Sequence, residues 1–523
     1  MQYLTLSQPG FFSMKRSTIM KKKRITSFLS VCLALTMVLA SFAGCSETTS
    51  EPEAGADPVN TAAENAPDAP AETEPETQYV PDDLPDGLTF DGSTVTTFGW
   101  SGPSLVEFYV EEQNGEIVND AIFARNMAVE ERLNITLDYH LEPGANAERA
   151  QWVKALSASI TAGDGAYDIF GGYSMCGASL AAQGMCLPLN DMEYLNFSKP
   201  WWPAKLLDEA TCGGKLYFGS GDISTYMIYY LYGLYFNQEL LAKYDLESPY
   251  DLVQGGLWTL DKMKEMTSGV YLDLNGNGEA DFDDQFGYIT YSIFVDSFFF
   301  SCGLCTTDKD ENDIPHLSPL FSGEKAHSVV EKVVAFVSEP DCLVGNGAEQ
   351  IEPSYGAFKE GRALFTGHEL TYAVNYLRDA PFTYGIVPFP KYDEEQADYV
   401  TIMSFPYTLY GIPIDARTPS MSAAVMEAMA SESYRTVSPV LFENAYKVKY
   451  AQDTQSSLMY DLIRQTVSFD FGRVFNDNLN SLTYSLFRNA IVQKNTDWAS
   501  TMKANEKVLN KLLDKLTQAL LGE

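Results

Sequence analysis

Between residues 92 and 173 the apolar pattern switches repeatedly between a period of two and a period near 3.6, and that alternation constrains the fold more than any other feature of the chain. Thr94–Trp100 reads as a strand with Gly99 near its end. Asp120 is placed to cap a helix with Ile122, Val129 and Leu133 on one face and Phe123 and Met127 flanking it. Ile135, Leu137 and Tyr139 alternate as a second strand. A helix over 146–161 then stops at Gly163, and Tyr167–Gly172 forms a short apolar strand. This βαβαβ order predicts an α/β fold around an open, mostly parallel sheet. Ligands of such sheets sit beyond the carboxyl ends of the strands, here Gly99-Trp100 and Gly171-Gly172-Tyr173-Ser174. Later stripes at helical spacing are Val329, Val330, Val333, Val334 and Val337, then Leu509, Leu512, Leu513, Leu516 and Leu520.

Upstream lies a different kind of sequence. Lys21–Arg24 form a basic region, and Phe28–Ala43 an apolar stretch of 16 residues, too short for a comfortable membrane helix. It closes on Ser41-Phe42-Ala43-Gly44-Cys45, which resembles a bacterial lipobox with Phe where Leu is usual. Residues 1–44 are therefore expected to be a lipoprotein signal peptide, with Cys45 the lipidated residue; an ordinary cleaved signal with a chance cysteine is the blander alternative. Met14 offers a second start. Residues 46–87 carry twelve acids, seven prolines and no Lys or Arg. Such a segment buries too little apolar surface to offset its ordering entropy, so 45–91 is expected to be a disordered acidic tether.

The charge balance excludes one partner class. With 35 Lys+Arg against 71 Asp+Glu, the chain carries a formal charge of −36 and would repel nucleic acid, whose phosphates need cations. Catalytic motifs are sparse: there is no GxSxG, no GxxxxGK[ST] and no HExxH, and His140, His316, His327 and His368 lack zinc spacing. Carboxylates are so numerous that a glycosidase-like pair stays open on counting alone. Cys302-Gly303-Leu304-Cys305 is a lone CxxC following an apolar run, read as an inert reduced pair or a local disulfide. No catalytic cofactor is implied.

Several segments in order then carry a resemblance. They are Ile160-Thr161-Ala162-Gly163-Asp164 with Tyr167-Asp168-Ile169, Gly213-Gly214-Lys215-Leu216-Tyr217-Phe218, Gly233-Leu234-Tyr235-Phe236-Asn237 and Trp258-Thr259-Leu260-Asp261. Phe358-Lys359-Glu360-Gly361-Arg362-Ala363-Leu364-Phe365 and Tyr384-Gly385-Ile386-Val387-Pro388-Phe389-Pro390-Lys391 follow. The ordered set resembles the extracellular solute-binding proteins of bacterial ABC importers, in the family that includes the maltose-binding type. That resemblance implies a two-lobed periplasmic-binding-protein-like fold with a solute held in the cleft. Lobe one would be 92–222 with 392–435, and lobe two 223–391 with 436–523. The crossings would fall at Phe218–Tyr235, near Tyr384–Lys391 and near Tyr434–Tyr446. It also implies a monomeric, non-enzymatic receptor, anchored by lipid at the outer face of the cell membrane, that passes its solute to a permease.

Aromatics gather where that cleft should be. Sugar rings present apolar C–H faces and polar rims, which flat aromatics and carboxylates suit. A carbohydrate, an oligosaccharide in particular, is thus the expected ligand, with a secreted carbohydrate-active enzyme or a peptide receptor as alternatives. By matched position the ligand-binding residues are Trp100, Glu107, Tyr173, Trp201, Trp202, Asp222 and Tyr226, with His368 and Tyr407 from the other wall. For the tyrosines of the first crossing, strand core is the competing reading, Tyr229 and Tyr230 lying on opposite strand faces.

A last motif starts at Asp273. Asp273, Asn275 and Asn277 occupy positions one, three and five of an EF-hand-like loop, and Gly278 sits at the sharp turn. The carbonyl of Glu279 and the side chains of Asp281 and Asp284 complete the set, with Asp284 in place of the usual Glu. Similar loops occur at the matching place in the receptor family, so a structural calcium ion is expected, with a plain Asn-Gly turn as the alternative.

Overall fold

The computed structural model of the chain describes residues 79–101 and 107–523, the side chains of 448–450 excepted. Cys45, the leader and most of the acidic segment lie outside the described residues. β1 (Ser93–Ser101) pairs in parallel with β2 (Ile135–Pro143) on one side and β3 (Ile169–Tyr173) on the other. The helix between β1 and β2, Ile117–Leu133, buries Ile122, Val129 and Leu133 as their spacing predicts. Its cap is Glu116, whose carboxylate accepts the amides of Val118 and Asn119. Asp120 instead sits in the first turn and accepts the amides of Asn114 and Gly115. The next helix, Arg149–Ala162, stops at Gly163, which takes φ 67°. A Cβ on Gly172 would stand 2.6 Å from the Trp152 ring, so glycine there lets Trp152 lie against β3 and donate to the Gly99 carbonyl at 3.1 Å.

The remaining strands are β4 (Tyr232–Asn237), β5 (Phe286–Tyr291), β6 (Thr307–Lys309), β7 (Pro315–Leu317), β8 (Cys342–Gly345), β9 (Ala363–Glu369), β10 (Tyr384–Val387) and β11 (Thr408–Gly411). One sheet has the order β11-β3-β1-β2, with β11 antiparallel to β3. The other has the order β10-β4-β9-β5-β8, with β4 antiparallel to both its neighbours; β6 and β7 form a separate hairpin. The architecture is two α/β lobes, the first mostly parallel and the second mixed. The helix Glu324–Val337 buries all five residues of its valine stripe against the second lobe's core. In Trp498–Leu521 the leucine stripe is buried except at Leu512, which is half-buried.

The chain leaves the first sheet after Gly219, which pairs with Tyr410, and enters the second at Leu231, which pairs with Met403. Those same pairings locate the return at 403–408. This corrects the expected second crossing: Tyr384–Val387 is a strand inside the second sheet, Lys391 bonds to Trp258 and Leu260, and Tyr392 and Gln396 bond to Ser328 and Ser301 of that lobe. The third passage, Ser433–Tyr450, is wound largely as π-helix and leads to the helix Thr454–Gln465, packed on β10. The C-terminal segment does not belong to one lobe alone. Trp498–Leu521 touches both β7 and the helix Ser174–Ala182, and Asp477 forms an ion pair with Arg149 at 2.7 Å.

The tether ends earlier than composition suggested. Residues 79–91 lie on the first lobe, with Leu84 buried and Asp82 held by Arg132 at 2.7 Å and Arg435 at 3.4 Å. Asp83 pairs with Lys199 at 2.6 Å. Carboxylates that composition marks as solvated thus find cationic partners on the lobe.

Candidate functional site

β1 and β3 end on the face that meets the crossings. There Trp100 packs edge-on against Tyr173 at 5.4 Å and against Tyr226 at 5.8 Å, and its indole N–H donates to Thr408 Oγ1 at 2.8 Å. Tyr226–Tyr229 is a helical turn, not the strand the sequence suggested. The turn brings Tyr230 back onto Tyr226, edge-on at 5.1 Å, so the aromatics form a continuous belt across the junction. Glu107 is buried beside it and accepts from Ser224 Oγ and from Tyr410 Oη at 3.1 Å. Desolvation lifts its carboxyl to about 7, against those bonds and the nearby Arg125 guanidinium. Arg125 is fully buried on the same helix face as Ile122 and bonds Ser433 Oγ and the Phe108 carbonyl.

The second lobe meets the belt with the ends of β4, β5 and β9. Tyr232 pairs across the sheet with Glu369, the last residue of β9. Burial lifts the Glu369 carboxyl to about 7, opposed by hydrogen bonds from Ser404, on the return crossing, and Thr371. Tyr230 lies within electrostatic reach of both Glu369 and Glu107, so its ring stands between an acid of each lobe. Beside Glu369, His368 stacks on Tyr372 at 4.1 Å and meets Phe294 at 4.3 Å and Tyr355 at 4.4 Å. Asp296, just after β5, binds Arg488 through both oxygens and lies 3.6 Å from Arg473. Tyr407 packs against Phe469 and feels the Arg473 charge.

The structure therefore gathers Trp100, Glu107, Tyr173 and Tyr226 in one belt, with His368 on the facing side; Tyr407, expected on that wall, lies instead at the end of the return crossing and bonds Ser174 of the first lobe. The structure places Trp201, Trp202 and Asp222 elsewhere. Both indoles are buried, and their N–H groups donate to the two oxygens of Glu427 at 3.2 and 2.9 Å, on the helix Pro419–Glu432. Both are thereby anchored on that helix within the first lobe rather than in the belt. Asp222 is bound by Ser438 Oγ and lies 3.8 Å from Arg464, lining a cavity of about 190 Å³ with Trp201, Met227 and Ile228. Sequence position alone missed Tyr230, Tyr355 and Glu369. The one available signal was that Glu369 is a lone acid closing an apolar strand run.

The Asp273 loop has the expected turn, and Gly276 and Gly278 take positive φ. Asp273 accepts the amides of Gly276 and Gly278 at 2.6 and 3.0 Å, while Asn275 and Asn277 donate their side-chain amides to Asp281. Those amides stand where a cation's charge would act. Asp284 is fully buried and engaged by Tyr271 Oη and the Leu274 amide. Among the described residues no group of three or more His, Cys, Asp or Glu side chains is gathered to hold a metal ion. The oxygen set of Asp273, Asn275, Asn277 and Asp281 fits calcium once the two amides turn; Asp284 fits poorly, because its oxygens face inward. The six described cysteines are free thiols, so Cys302 and Cys305 are a reduced pair.

A groove of about 1090 Å³ opens between the helices Arg149–Ala162 and Ser174–Ala182, with Asp477 across it. It adjoins Tyr173, whose hydroxyl feels both Arg149 and Asp477. No family model and no curated protein matches the sequence. Solved structures share its fold. A cyclic α-maltosyl-1,6-maltose binding protein from Arthrobacter globiformis superposes with a TM-score of 0.54 at 13% identity, over 80% of this chain and 98% of that one. An ABC substrate-binding protein from Listeria monocytogenes, in complex with cycloalternan, gives 0.52 at 14% identity, over 81% and 100%. A family 1 extracellular solute-binding protein from Bifidobacterium longum subsp. infantis gives 0.51 at 14%, again over 81% and 100%. At these identities the likeness establishes the two-lobed solute-binding-protein fold. Among the described residues no helix is long and apolar enough to cross a membrane.

Proposed function

We propose that this chain is a carbohydrate receptor that closes on its ligand between the lobes and delivers it to an ABC permease. The observation that carries the reading is the belt of Trp100, Tyr173, Tyr226 and Tyr230 across the lobe junction, flanked by Glu107 and Glu369. Aromatic faces accept the C–H faces of sugar rings and carboxylates accept their hydroxyls. The neighbours that share the fold support it, since two of them are described as saccharide-bound or saccharide-binding. Lipid attachment at Cys45 would hold the receptor at the outer face of the membrane, and a monomer suffices for this role. Calcium in the Asp273 loop would be structural.

The test is a thermal-shift screen of the chain against mono- and oligosaccharides, followed by small-angle scattering with the best ligand. A raised midpoint, a smaller radius of gyration and an unchanged sugar are expected. Turnover of the sugar would transfer the site to a carbohydrate-active enzyme. No shift with any saccharide would remove the carbohydrate reading.

A further inference from the structure

The junction contains a buried carboxyl for which the protein supplies no cation. Glu369 is buried at the end of β9, its side chain 12% exposed, so a ligand entering the cleft can reach it. Among the described residues the only basic group within 4 Å is His368, at 3.8 Å. His368 does not supply a cation. Its Nδ1 accepts the Glu369 amide at 2.9 Å, and burial drives its pKa well below the ordinary value. The two guanidiniums of this wall, Arg473 and Arg488, are already drawn to Asp296.

Burial without a counter-ion holds this carboxyl protonated to about 7, and a cationic ligand would ionise it. Around it stand the hydroxyls and rings of Tyr230, Tyr232, Tyr355 and Tyr376, each within electrostatic reach of its charge. Tyr355 and Tyr376 are only half-buried, 5.5 Å apart and edge-on, so part of each side chain stays exposed. Aromatic faces attract cations, and most strongly where water is excluded. A second, independent vacancy lies next door. With Nδ1 accepting, His368 carries its proton on Nε2, and that buried N–H has no acceptor. A carboxylate lacking a cation and an N–H lacking an acceptor, on adjacent residues, call for a ligand with an ammonium group and a hydroxyl close together.

We propose that the receptor's ligand is an amino sugar, its ammonium group paired with Glu369 inside the tyrosine ring and a neighbouring hydroxyl accepting from His368 Nε2. This rests on the carbohydrate reading above and sharpens it, because a neutral saccharide brings no cation to ionise Glu369.

Matched pairs that differ only at C2 of each ring test it: glucosamine against glucose, galactosamine against galactose, mannosamine against mannose, and the glucosamine dimer against cellobiose. Thermal shift ranks them and calorimetry measures the best pair on the parent chain and on Glu369→Gln. At least one amino member should bind tenfold or more tightly than its neutral partner, and Glu369→Gln should erase that preference. The variant puts a neutral amide where burial holds a carboxyl protonated to about 7 and should fold; its own melting midpoint verifies this. Tyr355→Leu should weaken the amino sugar alone, with Tyr355→Phe restoring it. Neutral saccharides binding as well as their amino partners would overturn the inference while leaving the receptor reading intact. A preference that survives Glu369→Gln would overturn the assignment to this residue. Failure of every saccharide, amino or neutral, would overturn both.

Discussion

Two buried glutamates in this molecule look alike by every local measure except their surroundings. Glu427 and Glu369 are both desolvated, and burial raises both carboxyls to about 7. Glu427, however, is closed in by the indole N–H groups of Trp201 and Trp202 and by the Asn196 amide. Glu369 has two hydroxyl donors, an opening to the cleft and half-buried tyrosines at its rim. The difference teaches that burial and a shifted pKa do not by themselves mark a functional acid. What marks one is the part of its hydrogen-bonding and charge demand that the fold leaves unmet.

The largest expected effects break that comparison on the structural side. Trp201→Ala should cost about 3–5 kcal/mol of stability, because it empties a sealed core position and removes a donor from Glu427. Glu427→Ala should cost roughly 2–4 kcal/mol by orphaning two indole N–H groups. Neither should change saccharide affinity of the folded fraction. Urea melts measure the first quantity and calorimetry the second; lost affinity with intact stability in either variant would return Trp201 and Trp202 to the cleft.

On the functional side, Trp100→Ala and Tyr226→Ala should lower ligand affinity by about 2–4 kcal/mol, the range of truncated interface aromatics. Tyr230→Phe keeps the ring and should lose less. Affinity unchanged in both alanine variants would separate the belt from the ligand.

A pH measurement probes all the buried acids together. Glu107, Glu209, Glu369 and Glu427 hold their protons to about 7 when folded, against an ordinary value of 4.5. The folded chain therefore binds more protons than the unfolded chain between those values, so stability falls as pH rises from about 4.5 to about 7 and levels off above. The formal charge of −36 pushes the same way. The melting midpoint should be higher at pH 5.5 than at pH 8, and Glu427→Gln should flatten the slope. A midpoint that rises with pH would contradict the burial of these acids.

The sequence carried the lobes well and the site unevenly, for physical reasons. Strand and helix periods are local, so β1 to β3 and the valine and leucine stripes were legible. The meeting of Trp100, Tyr173 and Tyr226 at the lobe junction was also legible, because strand ends and crossings are defined along the chain. Trp201 and Trp202 misled because an indole's role depends on what its N–H meets, and Glu427 lies more than two hundred residues away. Glu369 was missed for the opposite reason: its significance is the absence of a cation nearby, which no spacing records. The crossing at 403–408 was displaced because the turns of 388–402 fold back on the second lobe through side-chain bonds such as Gln396 to Ser301.

The smallest expected effect concerns the Asp273 loop, and it sharpens the same distinction between met and unmet demand. Asp273 and Asp281 are served by amides already, from Gly276, Gly278, Asn275 and Asn277. Calcium must displace the two asparagine amides and turn their carbonyl oxygens inward, so it replaces bonds rather than filling a void. Asp284, buried against Tyr271, offers no bidentate grip without repacking. Affinity should accordingly be modest, and calcium at ten times its dissociation constant would stabilise the fold by about 1.4 kcal/mol. The measurement is the melting midpoint in millimolar calcium against chelator, for the parent and for Asp273→Ala. A small calcium-dependent rise that disappears in the variant is expected, with saccharide affinity unchanged. Identical midpoints with and without calcium in the parent would show that the asparagine amides alone satisfy the loop, and the metal would be dropped from the description.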